Sequence, residues 1–285
     1  LLLLDDAVVY NSGHLFGFFS IFNGDAIKNI SIIKGGMPAQ YGGRLSSVLD
    51  IAMKDGNMKK FQGEGGIGSI AARFSLQGPI KKDKSSFILS GRRTYIDALA
   101  KPFIKKGSQF DGSGYYFYDL NAKFNYRFSA KDRVYLSGYF GRDVFDFVNN
   151  KRQFNVNIPW GNSTITARWN HVFQRNLFVN TTLLYNDYNF MFGARQKYFD
   201  LSLKSGIRDF SYKSDFDYFA SDAHRVKFGL QATRHIFTPS VVSGKQDTAI
   251  FKNDLAQKKY SNELSAYVQD DWDISNNVKV NYGLR

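Results

Sequence analysis

From about Phe61 onward, apolar and polar residues alternate with a period of two, in runs far longer than the roughly five or six residues of an ordinary strand. In the clearest run, Tyr116, Tyr118, Leu120, Ala122, Phe124, Tyr126 and Phe128 share one face, and Asp119, Asn121, Lys123, Asn125 and Arg127 share the other. Gly68, Ile70, Ala72, Phe74 and Leu76 stand in the same way against Ser69, Arg73, Ser75 and Gln77. So do Ile165, Ala167 and Trp169 against Thr164, Thr166, Arg168 and Asn170, and Val226, Phe228, Leu230 and Ala232 against Arg225, Lys227, Gln231 and Thr233. The segment Phe87 to Tyr95 has no clear orientation, because Ser90 and Arg92 fall on one face while Gly91 and Arg93 fall on the other.

Tight polar turns at Lys81–Lys84, Ala130–Asp132, Gln174–Asn176, Ser221–Ala223 and Ser275–Asn277 recur about every 45 to 55 residues, the hairpin spacing of a meander. Longer loops are predicted between them, near Lys101–Gly114, Asn149–Asn162, Phe192–Asp200 and Pro239–Lys259. Pro102, Pro159 and Pro239 fall in those loops, Pro79 at a short turn and Pro38 ahead of the alternating region, so no proline interrupts a predicted strand. The pattern gives a mostly β chain of about ten antiparallel strands, with short turns at one end and long loops at the other. That asymmetry belongs to outer-membrane β-barrels.

Alternation alone also fits a soluble sandwich or barrel with its apolar face turned inward. Composition separates the two, because the chain holds 27 Phe, 17 Tyr and 3 Trp among 285 residues and the apolar face is rich in them, which suits interfacial girdles. The hairpin spacing leaves roughly 15 residues per strand, more than the 9 to 11 that cross hydrocarbon at a 45° tilt. Arg234 and Asp270 take the lipid-facing parity, where a midplane Arg costs on the order of 2 to 4 kcal/mol. Both lie near strand ends, so they are expected at the rims, with Trp272 in the turn-side girdle. Phe124→Arg should then block membrane assembly while Asn125→Arg is tolerated.

The absence of Cys excludes disulfides, Cys-ligated zinc, iron–sulfur clusters and thiol catalysis. No stretch approaches the roughly 18 apolar residues of a transmembrane helix. The net charge of +13 does not choose a partner by itself; the cations favour one strand face and the loops without a stripe of stacked aromatics, which argues against nucleic acid.

Residues 1 to about 56 lack long alternation and read as a small mixed α/β unit. Leu1 to Leu4 is a strand candidate, Asp25 a cap for a helical turn over Ala26–Asn29, and Ile30–Lys34 and Val48–Lys54 two further strands. Both ends of the chain read as cut, so a longer protein is expected. The loop between the last two strands, Lys34-Gly35-Gly36-Met37-Pro38-Ala39-Gln40-Tyr41-Gly42-Gly43-Arg44, leads into Leu45-Ser46-Ser47-Val48-Leu49-Asp50-Ile51 and a Lys54-Asp55-Gly56 stop. With Leu4-Asp5-Asp6-Ala7-Val8-Val9-Tyr10-Asn11 and His14-Leu15-Phe16-Gly17-Phe18-Phe19 upstream, this resembles the C-terminal half of the plug domain of TonB-dependent outer-membrane receptors. Val8 stands where the family pattern has Pro. Tyr267-Val268-Gln269-Asp270-Asp271-Trp272 is similar to a late-strand motif of the same family.

The resemblance implies a plug over residues 1–57 and the first part of a transmembrane barrel over 58–285. About twelve strands of a 22-stranded whole would then lie outside the chain. It also implies an outer-membrane location and energy-coupled uptake of a siderophore, vitamin, glycan or peptide. The implied partners are the TonB–ExbB–ExbD complex, outer-membrane lipid and lipopolysaccharide, and a surface lipoprotein. An outer-membrane barrel enzyme and a structural or adhesive barrel are the rival readings.

On the family pattern, Asn11, His14, Phe16, Phe18 and Phe19 occupy one loop at the plug apex and Gln40 and Tyr41 a second, so these are the expected ligand contacts, against a packing role for the phenylalanines and a tight-turn role for the second loop. Lys34 stands where many members carry Arg in a plug–barrel latch, with Glu263 as its expected partner. Gly63, Gly65 and Gly68 spell G-x-G-x-x-G without a following helix, so a dinucleotide site is not expected and small residues for close approach to the plug are. His14, His171, His224 and His235 lack metal spacing. No catalytic residue, metal or cofactor is expected.

Overall fold

The computed structural model describes residues 1–43, 46–246, 249–252 and 257–285. Arg44, Leu45 and part of the predicted loop Pro239–Lys259 lie outside the described residues. The first sheet holds β1 (Leu2–Leu4), β2 (Ala7–Val8), β3 (Ile27–Ile33) and β4 (Val48–Met53) in the order β2-β1-β4-β3. β1 runs parallel to β4, and the other two pairings are antiparallel. Leu4, Val9, Ile21, Ala26, Ile51 and Met53 form its core.

The second sheet begins with β5 (Gln62–Ile67), β6 (Ala71–Lys81) and β7 (Ser85–Thr94). A one-turn helix α1 (Ile96–Ala100) leads on to β8 (Gly114–Arg127), β9 (Asp132–Asn149), β10 (Phe154–Gln174) and β11 (Leu177–Gln196). It ends with β12 (Phe199–Phe219), β13 (His224–Gln246), β14 (Ala249–Lys252), β15 (Lys259–Ser275) and β16 (Val278–Leu284). Neighbours in sequence are antiparallel neighbours in the sheet, except that β14 is a short hairpin on β13 and β13 goes on to pair with β15. The sheet is an open meander with β5 and β16 at its edges.

Burial across this sheet is inverted relative to a water-soluble protein. On β8, Asp119, Asn121, Lys123 and Asn125 are buried, Asn125 completely, whereas Leu120 between them is 43% exposed. On β11, Thr182 is fully buried while Leu183 is 57% exposed. Ile165, Trp169, Phe210, Leu230 and Leu264 share this outward apolar face. The first sheet packs on the polar face, its core closed by Tyr139 of β9. No helix among the described residues is long and apolar enough to cross a membrane.

Several expectations are corrected. The sheet has twelve strands rather than ten, because a turn at 68–70, closed by the Gly68 N–H to Ala71 C=O bond of 2.9 Å, divides one predicted strand and β14 adds another. The long connections are mostly strand: β9 to β13 run on until only short turns remain at 150–153 and 197–198. Consequently Pro79, Pro159 and Pro239 do lie inside strands, in β6, β10 and β13. Each sits where the ladder is already broken. Pro79 adjoins a register shift, Pro159 falls in a gap of the β10–β11 pairing, and Pro239 falls opposite the β12 bulge at Ser205. A residue without an N–H fits there without losing a bond.

In the first sheet the predicted helical turn is a 3-10 turn over Gly24–Ala26, capped by Asn23, whose Oδ1 accepts from the Asp25 N–H at 3.1 Å. Strand β7 now has an orientation: Ser86, Ile88, Ser90, Arg92 and Thr94 face the first sheet, and Arg93 faces out over the Tyr116 ring. A methyl group on Gly63 or Gly65 would meet only β6 atoms at 3.8 Å, so these glycines are not needed for a close approach to the first sheet. That requirement falls on Gly56 in the connection, at φ +81°, where a Cβ would collide with the Phe87 carbonyl.

Candidate functional site at the junction of the sheets

The first sheet is fixed to the polar face of the second through the turn between β1 and β2. Asp5 and Asp6 both have positive φ, 47° and 70°, the twist a two-residue hairpin needs, and Asp is among the few non-glycine residues that tolerate it. The turn aims both carboxylates at the wall. Asp5 accepts from the Met53 N–H at 3.0 Å and from Lys123 Nζ of β8 at 3.1 Å. Asp6 pairs with Arg168 of β10 and, at 3.6 Å, with Lys213 of β12. Lys123 also reaches Asp55 at 3.1 Å, tying the connection into the same network. Burial alone would raise the Asp6 pKa, but the two cations outweigh it and hold Asp6 at about 2. These two aspartates were missed as site residues; their signal was a pair of acids closing an apolar strand.

A second cluster surrounds His14, which is completely buried. Its Nδ1 lies 2.7 Å from Asp143 Oδ2, and its ring stacks on Phe117 at 4.0 Å with planes 3° apart. Asn11 Nδ2 donates to the same carboxylate at 3.5 Å, and the Tyr115 hydroxyl both donates to Asp143 and accepts from the Leu15 N–H at 2.6 Å. Arg92 bonds the Ser20 carbonyl at 2.6 Å and Asp119 at 2.8 Å. Phe19 joins Tyr115, Phe117 and Trp160 in an apolar cluster. Thus His14 and Phe19 are packed against the wall, whereas Phe18 is 84% exposed. The backbone of Phe16 lies in the 3-10 turn Leu15–Gly17, and its side chain is outside the described ones.

The second predicted loop is half-buried. Ala39 N–H donates to Gln269 Oε1 of β15 at 2.8 Å, and Arg285 donates to the Gln40 carbonyl at 2.9 Å. Tyr41 donates to Asp50 Oδ2 at 3.1 Å. Burial, with the Asp50 charge, pushes the Tyr41 phenol up to about 12, and burial, with the Asp6 charge, raises Asp50. Between this loop and the wall is a cavity of about 90 Å³ lined by Asp6, Tyr10, Gln40, Tyr41, Lys213 and His235 among others. Its size is well below the roughly 300–1,000 Å³ of small-molecule pockets. Water fits there.

The expected Lys34–Glu263 latch is not formed among the described residues. Lys34 is exposed after the end of β3, while Glu263 stands on β15, 3.7 Å from His235 Nε2. Asn125 is likewise more than a lumen-facing position: its Nδ2 donates to the Asp55 carbonyl and to Ser86 Oγ, both at 2.7 Å. Asn125→Arg should therefore disturb the fold rather than be tolerated, since a larger cation would break the seat of the connection.

No family model matches the sequence, and no curated protein is detectably similar to it. Solved structures do match. The siderophore receptor PirA from Acinetobacter baumannii aligns with 99% of this chain and 48% of its own, at TM-score 0.71 and 16% identity. The receptor FpvA of P. aeruginosa, bound to a ferric pyoverdine, aligns with 99% of this chain and 44% of its own, at 0.69 and 12%. The copper transporter OprC gives 99% and 45%, at 0.68 and 10%. The chain spans about half the length of these structures. It has the fold of the TonB-dependent outer-membrane receptors, over part of their length.

Proposed function

We propose that the chain is part of a TonB-dependent outer-membrane uptake receptor, with residues 1–57 in its plug and 58–285 in its barrel wall. The observation that carries the proposal is the inverted burial of the twelve-stranded sheet, with a small sheet bound by charge to its polar face. A lipid-facing wall around a polar, plugged interior is what an energised importer needs. The narrow gap beside Tyr41 supports a mechanism in which passage requires the plug to move. In this reading the TonB–ExbB–ExbD complex supplies the pull, and the Asp5 and Asp6 ion pairs are among the contacts it must break. Phe18, with Asn11, Gln40 and Tyr41, is proposed to meet the solute, while His14 and Phe19 set the loop that presents Phe18. A scarce solute such as a siderophore or a copper complex is the proposed cargo, and a surface lipoprotein a proposed accessory. The reading is a non-catalytic one; nothing in the geometry favours the enzyme or adhesive alternatives.

The test is uptake by cells carrying the complete gene, using labelled siderophores, copper, vitamins, oligosaccharides and peptides. One solute should enter only when both this gene and TonB are intact. Entry that survives loss of TonB, or no gene-dependent entry at all, counts against the proposal.

A further inference from the structure

The outward face of strands β10 to β15 changes character at one level. Cross-strand partners form rows over it. One row is Ala167, Leu183, Tyr212, Ala232 and Leu264; the next is Ile165, Tyr185, Phe210, Arg234 and Asn262; the third is Ser163, Asp187, Arg208, Ile236 and Tyr260. The first is apolar apart from a tyrosine, the second brings in Arg234 and Asn262, and the third carries an ion pair, Arg208 to Asp187 at 2.9 Å. Arg234 therefore marks the edge of the apolar belt. Asp270, the charge at the opposite edge, is eight residues from Asn262 along β15, or roughly 19 Å at a 45° tilt.

Two features at that edge point to a ligand. First, no carboxylate pairs with Arg234 among the described residues; its guanidinium lies over the Tyr260 ring, 5.4 Å from the centroid. Second, the small Ala167 and Ala232 leave a shallow recess of about 660 Å³ directly beneath it, walled by Ile165, Leu183, Phe210 and Leu264. A guanidinium with no carboxylate partner among the described residues, set above an apolar recess, matches a phosphate head carried on acyl chains. The leaflet follows from the strands: β10 to β13 run on past Arg234 toward the end that carries the long connection 95–113 between β7 and β8, and in outer-membrane barrels the longer loops are extracellular. Arg234 then faces the outer leaflet.

We infer that Arg234 and the recess below it form a binding site for a phosphorylated, multiply acylated glycolipid of the outer leaflet, the lipid A part of lipopolysaccharide. The phosphate bonds Arg234, and one acyl chain lies over Ala167 and Ala232. The inference rests on the membrane reading above and deepens it from general lipid contact to one place on the wall.

The experiment uses the complete receptor, purified from the outer membrane, delipidated in detergent and titrated with bis-phosphorylated lipid A under native mass spectrometry. Wild type should bind, and Arg234→Ala should weaken binding about tenfold, the loss of one charge-assisted bond at the low end of its range. Ala232→Trp, which fills the recess and keeps the charge, should also weaken it, and Arg234→Lys should retain part. Dephosphorylated lipid A and phosphatidylglycerol should compete poorly. Equal binding by Arg234→Ala, or equal competition by phosphatidylglycerol, overturns the site. Fractionation separates the two levels: a wild-type protein absent from the outer membrane defeats the membrane reading, whereas normal insertion with Arg234-independent binding defeats only this inference.

Discussion

Asp6 keeps its charge against burial because Lys213 and Arg168 face it from two different strands. Its folded pKa of about 2 lies below the ordinary 3.8, so it adds stability above the ordinary value and loses that contribution as pH falls through about 2. The difference corresponds to about 2 kcal/mol at neutral pH. In the complete protein, protease access to residues 1–57 should rise as pH falls from about 5 to 2, and Asp6→Asn should be more accessible at pH 7 while losing much of the dependence. An Asp6→Asn protein with the wild-type pH profile would refute this assignment. Gly56 offers a second test, since both its φ of +81° and the Phe87 carbonyl exclude a side chain. Gly56→Ala should cost about 1 to 3 kcal/mol, read as a lower denaturation midpoint of the folded protein in detergent.

The faces of the large sheet were legible in sequence because a strand buried on its polar side and exposed on its apolar side still alternates. The five hairpin turns were legible for a related reason, each being a polar interruption of that alternation. Strand length beyond the belt was not, since Asn149 to Asn162 and Pro239 onward carry too many polar residues to read as strand, although backbone pairing extends them. Strand β7 was ambiguous because its two adjacent arginines serve different surroundings: Arg92 meets the Ser20 carbonyl and Asp119, and Arg93 meets Asp97 and Tyr116. Of the site, the Gln40–Tyr41 loop and the His14 segment were visible from their resemblance to a plug. Their partners were not, because Gln269, Asp143 and Arg285 are brought there only by register. One element-level prediction follows from the exposed row. Leu183→Arg, in the apolar belt, should cost about 2 to 4 kcal/mol and deplete the protein from the outer membrane, whereas Leu183→Phe should assemble. Equal membrane levels of the two variants would rule out lipid contact at this face.

For the whole molecule, the two sheets are joined by contacts very distant in sequence. Tyr10 bonds Asp209 across 199 residues, Asp6 bonds Arg168 across 162, and Ala39 bonds Gln269 across 230. By contrast, every pairing within the large sheet except the β13–β15 step over β14 joins consecutive hairpins. Closing a long loop must be compensated by the contacts it allows, so local hairpins form readily and distant contacts wait for them. The segment that carries Asp5, Asp6 and His14 therefore leaves the ribosome before the large sheet and reaches its seat late, after the strands that carry Arg168, Asp209 and Gln269 are aligned. Until then Asp5, Asp6 and His14 have no wall to meet, and the order of synthesis is the reverse of the order of docking.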